Sequence, residues 1–146
     1  MHISEELAQK NLKSWDYLTE FYDRLLASAG WDYVKPLVRL VEQLKQSEYA
    51  KYFRAGQSLW HLMISTASQH GLTESDLYIY ITIKVEKTIK NDKPVYFTRG
   101  IEVSYKQDIH AIETITCDEP ELMTTIEPLL KRLWNDTRGS TGNYYE

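Results

Sequence analysis

Apolar side chains recur every three or four residues between Ser4 and about Ser28. They are Leu7, Leu12, Trp15, Leu18, Phe21, Tyr22, Leu25 and Leu26, with Glu5, Lys10, Lys13, Asp16 and Glu20 mostly between them. That spacing predicts a long amphipathic helix. Ser4 is its expected N-cap, and Gly30 its expected C-terminal cap, where a left-handed residue costs glycine little. A second helix is predicted behind it. Asp32 is the cap, Pro36 falls in the opening turn, and Val34, Leu37, Val38, Leu40, Val41 and Leu44 form the buried stripe. Helices joined this closely are expected to lie antiparallel.

From Leu77 the period changes to two. Leu77, Ile79, Ile81, Ile83 and Val85 alternate with Tyr78, Tyr80, Thr82, Lys84 and Glu86, which predicts a half-buried strand. A turn around Lys90-Asn91-Asp92 leads into Val95, Phe97, Ile101, Val103 and Tyr105. Pairing Val85 with Phe97 and Ile81 with Ile101 keeps one face apolar with a three-residue loop. That register aims Arg99 at the core, and a bulge at Gly100 would turn it outward. Ile109 to Cys117 reads as a further strand. Asp118-Glu119-Pro120 then opens a last helix with the stripe Leu122, Met123, Ile126, Leu129, Leu130, Leu133 and Trp134, and Pro128 is expected to kink it.

Residues 49 to 71 support two readings. Ser58 before Leu59-Trp60-His61-Leu62-Met63-Ile64, with Gly71 behind, resembles helix punctuation, while Trp60, Leu62, Ile64 and Thr66 alternate as a strand would. Strand is preferred, because it can pair with the segment from Leu77 across the intervening loop. Tyr52-Phe53-Arg54 ahead of Ala55-Gly56 fits a strand with a bulge at the glycine. The expected architecture is α+β: an antiparallel sheet of three or four strands, with the N-terminal helix pair and the C-terminal helix packed on one face. Residues 1–136 form one domain, and 137–146, with two glycines and no aliphatic anchor, form a flexible tail.

Composition narrows the function classes. The chain has 146 residues, 42% hydrophobic and 26% charged, and a net charge of −4, which suits a single folded domain. A negative balance opposes general affinity for phosphate backbones, so nucleic acid is not an expected partner. No stretch reaches the roughly 18 consecutive apolar residues of a membrane span. One cysteine, Cys117, and an N-terminus without a basic-then-apolar segment point to the cytoplasm.

No spacing specifies a metal, a cofactor or a catalytic group. His2, His61, His70 and His110 form no ligand pair at helical spacing, and the carboxylates beside Cys117 would raise a thiol pKa. Two clusters remain. Tyr52, Arg54, Gln57, Ser58 and His61, with Arg99 and Glu102 across the sheet, could present a donor fork to a carboxylate or phosphate, although structural arginines are common. The hairpin's polar face carries Tyr78, Tyr80 and Tyr96 with Thr82, Thr98 and Glu102, and tyrosine suits both strand pairing and interfaces. The leading expectation is a non-enzymatic protein-binding module, self-associating or heterologous. The alternative is a small-molecule or anion-binding protein with Arg54, His61 and Arg99 lining one pocket. Small acidic α+β domains include secretion chaperones and toxin-neutralising proteins, an analogy of size and charge only, since fold does not fix function.

Overall fold

A computed structural model describes residues 1–67 and 77–138. The elements run α1 (Glu5–Leu26), a 3-10 turn (Asp32–Val34), α2 (Lys35–Lys45), α3 (Tyr49–Tyr52), β1 (Arg54–Ser58), β2 (His61–Ser65), β3 (Leu77–Lys90), β4 (Lys93–Gln107), β5 (His110–Cys117), a second 3-10 turn (Glu119–Glu121) and α4 (Leu122–Arg138). The class is α+β as expected, but the antiparallel sheet has five strands, not three or four, in the order β1-β2-β3-β4-β5. The ambiguous middle segment is two short strands joined at Leu59-Trp60, preceded by one helical turn at Tyr49–Tyr52. No bulge marks Gly56, whose strand pairs with β2 without interruption.

Several helix ends differ from expectation. Ser4 does cap α1, accepting a hydrogen bond from the Leu7 amide at 3.2 Å. The helix stops at Leu26, however, and Gly30 takes its positive φ of 91° in the following turn. Asp32 makes no side-chain cap; it pairs with Lys35 at 3.7 Å while a 3-10 turn starts the helix. α4 continues through Pro128 to Arg138. Residues 139–146 of the expected tail lie outside the described residues.

One face of the sheet feeds the core. Ala55, Leu62, Ile64, Ile79, Ile81, Ile83, Ile101, Val103 and Tyr105 join Trp15, Leu18 and Tyr22 of α1, the stripe of α2 and that of α4 in one buried cluster. The period-two reading of β3 is correct there: Ile79, Ile81 and Ile83 are at most 3% exposed. The register is not the expected one. Ile81 faces Val103 and Ile83 faces Ile101, while beyond an irregularity Val85 faces Thr98. Arg99 is the extra residue, Gly100 takes φ 131°, and Arg99 turns out to meet Glu86 at 3.0 Å. The bulge was legible; the two-residue offset behind it was not. Asn91 and Asp92, with φ 53° and 62°, close the hairpin in two residues instead of three. This tight turn matches strand twist because both central residues are left-handed.

β1 is an edge strand, and α1 covers part of its free edge. Asn11 Nδ2 donates to the Lys51 carbonyl at 2.8 Å, and Trp15 Nε1 to the Phe53 carbonyl at 3.0 Å. The Ala55 amide donates to Ser14 Oγ at 2.9 Å. Lys51 and Phe53 lie at the end of α3 just before β1, so side chains of α1 fasten the entry to the strand and, at Ala55, take the place of a neighbouring strand. No helix among the described residues is long and apolar enough to cross a membrane.

Candidate functional site

A row of aromatic rings starts on the sheet's second face and passes around the β1–β2 turn to Trp31, Tyr33 and Trp60, which pack against the core. Tyr80 and Tyr78 reach that face because they alternate with the buried isoleucines of β3. His61 reaches it from the first position of β2, and Thr82 Oγ1 lies 2.6 Å from its Nδ1. The His61 ring centroid is 5.2 Å from that of Tyr80 and 4.1 Å from that of Trp60, and Tyr80 is 6.4 Å from Tyr78. Trp60 continues the row around the end of β2 to Tyr33 at 5.4 Å, which stands 5.5 Å from Trp31. Five of the six rings are half-buried and Tyr78 is buried, so each row member packs on its neighbours.

Positive charge closes one end. Lys106 Nζ sits 4.5 Å from the Tyr80 ring centroid and 5.9 Å from that of Tyr78. An ammonium over ring faces is attracted by the ring quadrupole, which holds the lysine there. The Tyr78 hydroxyl donates to the Asp108 carbonyl at 2.6 Å. Burial, and then the Lys106 charge, lower the His61 pKa, so the imidazole is neutral at pH 7. Burial raises the Tyr78 and Tyr80 hydroxyls, helped by Asp108 for the first and by Tyr78 for the second. The row is a neutral, amphipathic surface with one cationic end.

The expected site residues divide between several places. His61, Tyr78 and Tyr80 come together in the row. Tyr52 instead packs edge-on against Trp134 at 5.5 Å. Tyr96 and Thr98 lie in the exposed outer half of the β3–β4 hairpin, where Ile89, Val95 and Phe97 are also exposed. Tyr96 is still near enough to Tyr33 to add to the rise that burial causes in the Tyr33 pKa. Glu102 pairs with Lys84 at 3.3 Å. Ser58 is exposed at the β1–β2 turn.

Arg54, His61 and Arg99 do not share a pocket. Arg54 and Gln57 line a cleft between α1 and β1, Arg99 lines a groove beside Pro36 and Asp118, and His61 stands on the second face. Arg54 is opposite Ser65 and His61 opposite Ser58, four positions along the same strand pair. At about 3.3 Å per residue that separates them by roughly 13 Å. The bulge commits Arg99 to Glu86.

Sequence reasoning missed Trp31, Tyr33, Trp60 and Lys106. The available signal was the density of aromatics at 31, 33 and 60, but nothing local brings those positions to one surface. Among the described residues, no group of three or more histidine, cysteine, aspartate or glutamate side chains could hold a metal ion. His70 lies outside the described residues. The Cys117 thiol is half-buried; burial raises its pKa, a Thr125 hydrogen bond opposes this, and Glu121 and Asp118 add to it. Comparison with protein-family models, with curated proteins and with solved structures finds no match.

Proposed function

We propose that this chain is a protein-binding module whose docking surface is the aromatic row from Trp31 to Tyr78. The reading takes α1, α2 and α4 as the cover of the sheet's apolar face, leaving the second face for a partner. The observation that carries it is the continuity of the row: six rings from three separate segments, each within 6.4 Å of the next, ending under Lys106. Rigid, amphipathic tyrosine and tryptophan side chains give large contact area at small entropic cost, which is why they dominate binding hot spots. The single cysteine supports a cytoplasmic setting.

The test is affinity capture with the native protein and with a Trp31→Ser, Tyr80→Ser double variant whose fold is verified by circular dichroism. The native chain should retain a partner, itself or another protein, that the variant loses. Equal capture by both, or a native chain that stays monomeric and retains nothing, would remove the reading.

A further inference from the structure

The cleft between α1 and β1, about 270 Å³ in volume, lies apart from the aromatic row. Tyr17 and Phe21 provide apolar wall, and Arg24, Arg54 and Gln57 provide donors, with Glu20 the single carboxylate at the rim. Arg54 is half-buried, and neither Arg54 nor Arg24 has a hydrogen-bonding or acidic partner among the described residues. Burial without a counter-charge lowers the Arg54 pKa. A guanidinium left in this state retains its planar fork for an incoming oxyanion.

The backbone beside it is also open. Phe53 and Ala55 turn their outward groups to Trp15 and Ser14. By strand alternation the Ala55 carbonyl and both backbone groups of Gln57 face the same way. Among the described residues none of these three accepts or donates a hydrogen bond on that side. Gly56 has nothing within 4 Å of where a Cβ would stand, so the sheet face beside this edge is open. A segment adding antiparallel to β1 would enter near Ser58 and run toward Arg54. Ser14 closes the edge at the Ala55 amide, so the segment must end there.

We infer that this cleft captures the C-terminal end of an extended polypeptide, pairing its last residues with Gln57 and the Ala55 carbonyl and its terminal carboxylate with Arg54 and Arg24. Tyr17 and Phe21 would receive an apolar side chain of that end. Strand addition supplies affinity through the main chain, and the terminal charge supplies direction. Because the aromatic row takes no part, this site and the proposed docking surface fail independently.

The probe is an acetylated pentapeptide Thr-Val-Thr-Tyr-Val as free acid and as C-terminal amide, titrated into the full chain while backbone amide and arginine Nε resonances are followed. The free acid should give saturable shifts at Gly56, Gln57 and Arg54. The amide should bind at least about tenfold more weakly, the usual weight of a charge-assisted hydrogen bond. Arg54→Gln should narrow the difference between acid and amide, Arg54→Lys should recover part of it, and the Arg24→Gln, Arg54→Gln double variant should make the two equal, while unchanged shifts elsewhere in the sheet show that the variants fold. N-acetylvaline, a small carboxylate without a strand, should shift Arg54 but leave Gln57 unmoved. Equal binding of acid and amide, or no saturable shift up to about 5 mM peptide, a range that would reveal even millimolar affinity, overturns the inference.

Discussion

The hydroxyl of Tyr22, a residue with no exposed surface near the C-terminal end of α1, donates to the carbonyl of Trp60 at 2.8 Å. Thirty-eight residues separate the two. This bond ties the first helix to the β1–β2 turn and thereby sets where Trp60 meets Tyr33 and His61. Burial raises the Tyr22 pKa far above the ordinary tyrosine range, so the hydroxyl stays a donor at any pH the fold survives. Tyr22→Phe should cost about 1 kcal/mol, the net worth of one hydrogen bond. Urea unfolding should show a lower midpoint with an unchanged slope; an unchanged midpoint would mean the turn is held by packing alone.

Ser14 is predicted to matter more than its size suggests. Its hydroxyl accepts from the Ala55 amide at 2.9 Å and donates to the Asn11 carbonyl at 2.6 Å, all in a buried setting. Ser14→Ala leaves the edge-strand amide without a partner and should cost about 1–3 kcal/mol. Hydrogen exchange at Ala55 should accelerate markedly. Protection equal to that of the native chain would show that water replaces the serine.

Gly100 should not tolerate a side chain, for a backbone reason. A Cβ there would meet Thr116 Cγ2 at 3.5 Å and the Cys117 carbonyl at 3.6 Å, which is ordinary contact. The obstacle is φ at 131°, which alanine adopts only under strain. Gly100→Ala is expected to destabilise by more than about 1 kcal/mol. Thermal unfolding checks this, and a melting temperature within error of the native one would place the bulge elsewhere.

His61 predicts a pH dependence. Burial and Lys106 lower its pKa below the ordinary 6.5, so the unfolded chain binds the proton more readily than the folded chain. Stability from this group is fully present above 6.5 and falls as pH drops through 6.5 toward the folded value. Glu119, whose pKa Arg39 lowers through a hydrogen bond, contributes in the same direction at lower pH, so the comparison must be with a variant. His61→Gln should flatten the stability profile just below pH 6.5 and leave the acid limb intact. Parallel profiles for variant and native chain would mean the imidazole titrates the same way in both states.

Much of the local structure was legible in order along the chain. The stripe of α1, the alternation of β3, the need for a bulge beside Arg99 and the carboxylate-rich entry to α4 all follow from side chains within a few residues of one another. The middle segment was harder, because Leu62, Met63 and Ile64 form a run too short for period to separate helix from strand. Its resolution came from a distant element: β2 is a strand because β3 offers a pairing edge opposite Leu62–Ser65.

The amino-acid order alone determined which faces are apolar, where turns can form and that Arg99 could not stay in the core. Tertiary structure alone decided that Trp31, Tyr33, Trp60, His61, Tyr80 and Tyr78 form one row, and that Arg54 lines the cleft beside α1, four strand positions from His61. Periodicity reports how side chains divide around a single element. Which elements then lie together depends on contacts tens of residues apart, such as Tyr22 with Trp60 and Ser14 with Ala55, and no local pattern encodes them.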